Sequence, residues 1–119
     1  MASVAALATL EYIENENVLG NVYELSGYFR GKLFALKERY KDIIEVRGIG
    51  LIWAIELTNS PKMFEMAEKI MYHCLENGLS FKVSHGHIIV LAPPLIITAP
   101  EIDAAAAILD EAFSKYLSN

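Results

Sequence analysis

Apolar residues recur along this chain with two periods, which predict helices in some segments and strands in others. Apolar residues spaced three and four apart are typical of one buried helical face, and they predict helices at 2–16, 21–40, 61–77 and 99–117. Short runs rich in isoleucine, valine and leucine predict strands at 43–47, 50–57, 79–83 and 88–92. Because these strands are joined locally, the order of elements favours an α+β fold, in which helices pack on a small antiparallel or mixed sheet of about four strands.

Local signals mark the ends of the last two predicted helices. Ser60 precedes Pro61, so a capping side chain stands directly before a residue whose missing amide hydrogen is tolerated in the first helical turn. Gly78 follows that helix and is suited to the left-handed conformation that ends many helices. Thr98 and Glu101 have the spacing of a capping box, in which each side chain bonds the other residue's backbone amide.

Two pairs of glycines indicate places where the backbone bends or is approached closely. Gly48 and Gly50 lie between two strand-like runs, so we expect a bulge or a tight bend there. The run after them, at 51–57, alternates with a period of two but is largely apolar on both faces, which predicts a strand buried on both sides. Gly27 and Gly31 lie one turn apart on a predicted helix, and they indicate close packing of a neighbouring element.

The stretch FKVSHGHIIVLAPPLIIT concentrates side chains that could carry chemistry. His85 and His87 flank a glycine between two strand-like runs, and because a metal site needs at least a third ligand, a solvated hairpin turn is favoured over a metal site. Pro93 and Pro94 lack amide donors and should end the last strand. Lys82 lies inside a strand and either points to water or reaches an anionic group in a neighbouring cleft.

Two other candidates for chemistry are weaker. The segment Arg47-Gly48-Ile49-Gly50 resembles part of a phosphate-binding glycine loop, yet a strand rather than a helix follows it. Cys74 lies on the buried stripe of a predicted helix, so core packing is favoured over a role as a nucleophile. The residues alone therefore form no complete active site.

Composition narrows the class of protein. The chain has 119 residues, 54% of them hydrophobic, which fits a single domain at 1–119. The 10 basic and 15 acidic residues give a net charge of −5 without a basic patch, which argues against a nucleic-acid partner. The sequence has one cysteine and no evident leader, and it lacks a run of the ~20 apolar residues that a membrane span needs. These features together predict a soluble, cytoplasmic protein without a membrane partner. The mean hydropathy of +0.31 indicates an apolar face that a partner covers.

Three segments, in this order, resemble the C-terminal part of one enzyme family. They are SVAALATLEYIENENVLGNV at 3–22, EVRGIGLIWAIEL at 45–57 and GHIIVLAPPLIITAPEID at 86–103. The family is the class III aminotransferases, which depend on pyridoxal phosphate and have fold type I. Its pattern is an alanine-rich helix, a Val-Arg-Gly-x-Gly-Leu strand pair and a Pro-Pro-Leu turn before the last helix. The resemblance implies an architectural role for the motif residues Arg47, Gly48, Gly50, Gly86, Pro93 and Pro94.

The resemblance implies that this chain is the small C-terminal domain of such an enzyme, and that the large cofactor-binding domain lies outside it. The family's Schiff-base lysine and other cofactor ligands lie upstream, so no residue here is assigned a catalytic role and the chain alone is not expected to bind pyridoxal phosphate. The parent would transfer an amino group from an amine or amino acid to a 2-oxo acid, with the small domain as one wall of the substrate cleft. Its partners would be the large domain and a second subunit in a homo-oligomer.

Substrate binding departs from the family pattern. Many members carry an arginine ahead of the Pro-Pro-Leu motif that pairs with a substrate carboxylate. Counting back from Pro93 assigns that position to Val83. Lys82 is the adjacent cation, but neighbouring strand residues face opposite sides, so Lys82 replaces the arginine only if the strand is bulged or shifted. An alternative to the enzyme hypothesis is a non-enzymatic interaction or regulatory module that self-associates through its apolar face.

Overall fold

The computed structural model describes residues 18–93 and 97–117, and its architecture is the α+β arrangement that the sequence predicts. The helices are α1 (Val18–Arg39), α2 (Pro61–Glu76) and α3 (Ala99–Tyr116). The strands are β1 (Ile43–Ile49), β2 (Ile52–Leu57), β3 (Lys82–Ser84) and β4 (Ile88–Leu91). The helix predicted at 2–16 lies outside the described residues, and the other predicted elements are present, with ends that differ by at most three residues.

The four strands form one antiparallel sheet in the order β1-β2-β4-β3. β1 and β2 form one hairpin, β3 and β4 form a second, and the pairing of β2 with β4 joins the two. One face, here called the inner face, contains a row across the strands formed by Val46, Ile55, Ile89 and Val83. The helices pack on the inner face, where Ile55 and Ile89 are completely buried.

The turn between β1 and β2 is the tight bend that its glycines predict. Gly50 has a φ of 60°, in the left-handed region that favours glycine. A Cβ atom on Gly48 would lie 2.4 Å from the backbone oxygen of Ile52 and 2.6 Å from the Trp53 ring, so only glycine fits without a shift. The Trp53 indole packs over Gly48 and donates a hydrogen bond to the Gly50 carbonyl at 2.8 Å. The irregularity in the β1–β2 register lies elsewhere, between Ile43 and Glu45.

The helix boundaries that local signals predict are confirmed. The Ser60 hydroxyl accepts a hydrogen bond from the Met63 amide at 3.2 Å, which caps α2. Gly78 follows α2 with a φ of 94°. The Thr98 and Glu101 side chains form both halves of the capping box that starts α3.

Helices α1 and α3 run in the same direction and are tied together at two points. Lys32 and Arg39 on α1 are seven residues apart, as are their partners Asp103 and Asp110 on α3. The Lys32 ammonium lies 3.2 Å from Asp103, and the Arg39 guanidinium lies 2.6 Å from Asp110. The buried Tyr40 donates a further hydrogen bond to Asp110 at 2.5 Å. These contacts fix the register of the two helices.

Two packing predictions are wrong for the described part of the chain. β2 is buried on one side only, because Ile55 and Leu57 are fully buried whereas Ile52 is 58% exposed. Gly27 and Gly31 do not receive a neighbouring element, since an added Cβ on either would meet no described atom within 4 Å. Both discrepancies leave apolar or small residues on open surface.

Candidate functional site: the outer face of the sheet

The face of the sheet opposite the helices, here called the outer face, is open and carries both charged and apolar side chains. Two rows of its residues cross all four strands, and the exposed Ile49 and Ile52 form a further pair on β1 and β2. One row is Arg47, Ala54, Val90 and Lys82, and the other is Glu45, Glu56, Ile88 and Ser84. Since the strands are about 4.8 Å apart, each row spans about 14 Å. The outer face is therefore wide enough to form one side of a small-molecule site.

The β1 end of the outer face holds a closed ion-pair cluster. The Arg47 guanidinium lies 2.7 Å from the Glu56 carboxylate and 3.2 Å from that of Glu45. The hydrogen bond to Glu56 is the main cause that raises the pKa of Arg47, and the same bond lowers the pKa of Glu56. The His87 Nε2 atom lies 3.7 Å from the Glu56 carboxylate. With that imidazole neutral, one cation between two carboxylates leaves a net charge of −1. Arg47 thus bridges a carboxylate on its own strand and one on β2.

The β3 end of the outer face presents Lys82. This lysine is exposed, and it lies directly opposite Val90 in the β3–β4 pairing. Its neighbours Phe81 and Val83 are both partly buried against the core, so the backbone on either side of Lys82 is anchored. Within residues 18–93 and 97–117, the Lys82 ammonium has no carboxylate within ion-pair distance. The sequence left open whether Lys82 faces water or an anionic group, and in this structure it faces the open side.

Val83, to which the resemblance assigns the family's arginine position, points away from the outer face. It pairs with Ile89 and packs against the core. β3 is regular here, because Lys82, Val83 and Ser84 pair with β4 in unbroken register. The strand is thus neither bulged nor shifted, so Lys82 does not take the place that the resemblance assigns to Val83. The two residues face opposite sides, and it is Lys82 that the outer face presents. Pro93 follows β4 as predicted, whereas Pro94 lies outside the described residues.

The sequence predicts a solvated β3–β4 turn, but only one of its two histidines is exposed. His85 is exposed, with a φ of 53°, and Gly86 follows with a φ of 82°. His87, by contrast, is only 7% exposed, and its ring centroid lies 5.9 Å from that of Phe64 on α2. The His87 Nδ1 atom lies 3.0 Å from the His85 carbonyl oxygen, which can only accept, so Nδ1 carries a hydrogen. His87 is a turn-stabilising residue that sequence reasoning missed, since its burial depends on the distant helix α2.

Neither the histidines nor the cysteine forms a reactive centre in the described structure. No three His, Cys, Asp or Glu side chains among the described residues are grouped so that they could hold a metal ion. Cys74 is fully buried, and burial raises the pKa of its thiol to about 11, so the thiol stays protonated near neutral pH. Core packing of Cys74 is therefore confirmed. None of the described helices is both long enough and apolar enough to cross a membrane.

The described residues do not fit the complete binding site of a phosphorylated cofactor. The N-terminus of a helix can bind a phosphate through free amide groups. In α2 the Ser60 hydroxyl already accepts from the Met63 amide, and in α3 the Thr98 hydroxyl already accepts from the Glu101 amide. The outer face offers a single uncompensated cation, Lys82, among the described residues.

Comparisons with known proteins place this arrangement in a family. The family model "Aminotransferase class-III" matches residues 1–113. The (R)-1-hydroxy-2-aminoethylphosphonate ammonia-lyase of Vibrio splendidus is 45% identical over 115 residues, which cover 93% of this chain and 24% of that enzyme. The ornithine aminotransferase of an Exiguobacterium species is 40% identical over 105 residues, covering 88% of this chain and 24% of that enzyme.

A solved structure agrees with these sequence comparisons. The acetylornithine aminotransferase of Elizabethkingia anophelis has a TM-score of 0.85 and 32% identity to this chain, and the match covers 93% of this chain and 27% of that structure. The chain thus spans about a quarter of the length of the relatives that it matches. The family model covers nearly all of the sequence, and the chain belongs to the class III aminotransferase family.

Proposed function

We propose that this chain is the C-terminal domain of a pyridoxal-phosphate-dependent enzyme and that its outer face forms one wall of the substrate cleft. The observation that carries the proposal is the asymmetry of the sheet. Helices bury the inner face, whereas the outer face combines an anchored lysine, a closed ion-pair cluster and half-buried apolar residues. A wall of this kind excludes water from a cleft and orients a substrate once a second domain closes over it.

The proposed reaction of the parent is the transfer of an amino group from an amine or amino acid to a 2-oxo acid. The family match and the ornithine and acetylornithine aminotransferases among the relatives support this reaction class. The cofactor would supply the chemistry and be held by the remainder of the parent. The residues of this chain would orient the substrate and exclude water. We further propose that the parent is a homo-oligomer and that the isolated chain is inactive.

A second candidate reaction is the release of ammonia without transfer to an acceptor. The specific observation in its favour is the 45% identity to an enzyme named as an ammonia-lyase, compared with 40% for the ornithine aminotransferase. The two reactions differ in their products. A lyase releases free ammonia in the absence of a 2-oxo acid, whereas an aminotransferase needs the acceptor for turnover. Measurement of ammonia from the full-length parent, with and without a 2-oxo acid, separates them.

The location of the wall can be tested by obstructing it in the full-length parent. Ala54 is half-buried in the centre of the outer face, so Ala54→Phe places a large ring into the proposed cleft. We expect kcat/KM to fall at least tenfold while the absorbance of the bound cofactor is kept. The matched control is Ala107→Phe on the exposed surface of α3, which should leave kcat/KM within about twofold. Equal kcat/KM values for the two variants would place the cleft elsewhere.

The proposed inactivity of the isolated chain has its own test. Pyridoxal phosphate is titrated against the purified chain, with circular dichroism to confirm that the chain is folded. We expect no saturable change in the visible absorbance of the cofactor, because the described residues lack its anchoring groups. A saturable band that disappears in Lys82→Ala would overturn this part of the proposal.

A further inference from the structure

We propose that Lys82 selects substrates that carry an oxyanion, either a carboxylate or a phosphonate, over neutral amines. The inference rests on the proposed function, since it assumes that the outer face lines the substrate cleft. It goes further by naming the chemical class of the substrate and the residue that recognises it. Three independent features of the outer face lead to it.

First, the position of Lys82 is fixed by the fold. Phe81 and Val83 on either side pack against the core, and the β4 pairing holds the backbone opposite Val90. The lysine therefore projects from an anchored strand rather than from a loose loop. A charge that is held in place before a ligand arrives loses less entropy on binding than one on a mobile segment.

Second, Lys82 is the uncompensated cation of the outer face as far as the structure describes it. The other cation, Arg47, is bound to Glu45 and Glu56, and this cluster has a net charge of −1. An anion is therefore repelled at the β1 end of the face and attracted at the β3 end. The strand spacing puts the two ends about 14 Å apart, so they act on different parts of a ligand.

Third, the neighbouring side chains suit the remainder of such a substrate. Val90 and Ala54 continue the row from Lys82 and form a half-buried apolar floor. An aliphatic segment can lie on this floor while the oxyanion contacts the ammonium. An ammonium is a compact charge with three donors, so it can bind a tetrahedral phosphonate as well as a planar carboxylate.

The test uses three donors of nearly equal size with the full-length holoenzyme. They are β-alanine, 2-aminoethylphosphonate and propylamine, which end in a carboxylate, a phosphonate and a methyl group. We expect wild type to prefer at least one anionic donor over propylamine in kcat/KM, and Lys82→Gln to lower that preference at least tenfold, mainly through KM. Lys82→Arg should restore part of it because it restores the charge. The donor whose preference falls further identifies the oxyanion.

A second pair of variants neutralises Lys82 without replacing it. Glutamate at position 90 would stand directly opposite Lys82 and form a cross-strand ion pair. Val90→Glu should therefore lower the anionic preference as Lys82→Gln does. Val90→Gln alters the same apolar floor without a charge, so it measures how much of that loss comes from the floor itself, and we expect Val90→Glu to lose the larger share. An unchanged preference in both Lys82→Gln and Val90→Glu would overturn the inference. Loss of activity in Ala54→Phe would still uphold the proposed cleft wall in that case, so the two failures are distinguishable.

Discussion

The two faces of the sheet are built from the same strands but differ in what their side chains are free to do. On β2, Ile55 and Leu57 are completely buried, while Ile52, which lies three residues before Ile55 and therefore on the opposite face, is 58% exposed. The inner face is closed by helices, so its side chains contribute to the stability of the fold. The outer face is closed by nothing in the described chain, and its charged residues can meet a substrate or another domain. Because successive side chains on a strand point to opposite faces, the residues of the inner face stabilise the fold, while those of the outer face are available for recognition.

The largest expected difference between the faces is in the cost of shortening an isoleucine. Ile55→Ala removes buried methyl groups and leaves a cavity, so we expect a loss of about 2–5 kcal/mol in the free energy of unfolding. Ile52→Ala, on the same strand but the outer face, should cost less than about 1 kcal/mol. Urea denaturation of the isolated chain measures both. Equal losses would mean that the outer face is buried in solution, for example by self-association, which sedimentation would detect.

A pair of glycines gives the next largest contrast. Gly48→Ala would push a Cβ into the Ile52 carbonyl and the Trp53 ring, and we expect it to cost about 1–3 kcal/mol. Gly27→Ala meets open space in the middle of α1, so it should stabilise the isolated chain by about 0.5–1 kcal/mol through helix propensity. Thermal unfolding measures the two shifts. If Gly27→Ala stabilises the isolated chain but weakens the full-length parent, another part of the parent packs against α1.

The features of the fold that could be predicted from the sequence are those that local interactions determine. The ends of α2 and α3 follow from Ser60, Gly78 and the Thr98–Glu101 pair, each of which acts within one turn of the helix end. The tight bend at Gly50 is also a local property. Element types and the α+β class are therefore readable from periodicity and capping, without knowledge of the strand order.

The composition of the outer face could not be predicted in the same way. Lys82 and Arg47 share a row only because β2 pairs with β4, and no local signal specifies that long-range pairing. The burial of His87 depends likewise on the distant Phe64. An apolar pattern on both faces of β2 predicts two buried sides, but the chain described here provides a cover for only one.

A smaller effect is expected from the ion-pair cluster on the outer face. The folded state lowers the pKa of Glu56, so the contribution of this group to stability is present above about pH 4.3, the ordinary glutamate value, and is lost as the pH falls through the lowered pKa. Glu56→Gln should therefore flatten the acid side of the stability profile and leave its alkaline side unchanged. Thermal unfolding from pH 7 to pH 3 tests this, with Glu38→Gln on the exposed surface of α1 as the control. A matching change in both variants would contradict a specific role of the cluster.

The smallest effect on stability is expected where the effect on substrate choice is largest. Lys82 is exposed and forms no ion pair with another described residue, so Lys82→Gln should change the free energy of unfolding by less than about 0.5 kcal/mol. Urea denaturation of the isolated chain checks this value, and the donor series in the parent checks the function. A residue with a purely structural role would show the opposite result: its substitution would lower the free energy of unfolding and leave the donor preference unchanged. A large loss of stability in Lys82→Gln would therefore show that Lys82 stabilises the fold, and would argue against a role in substrate recognition.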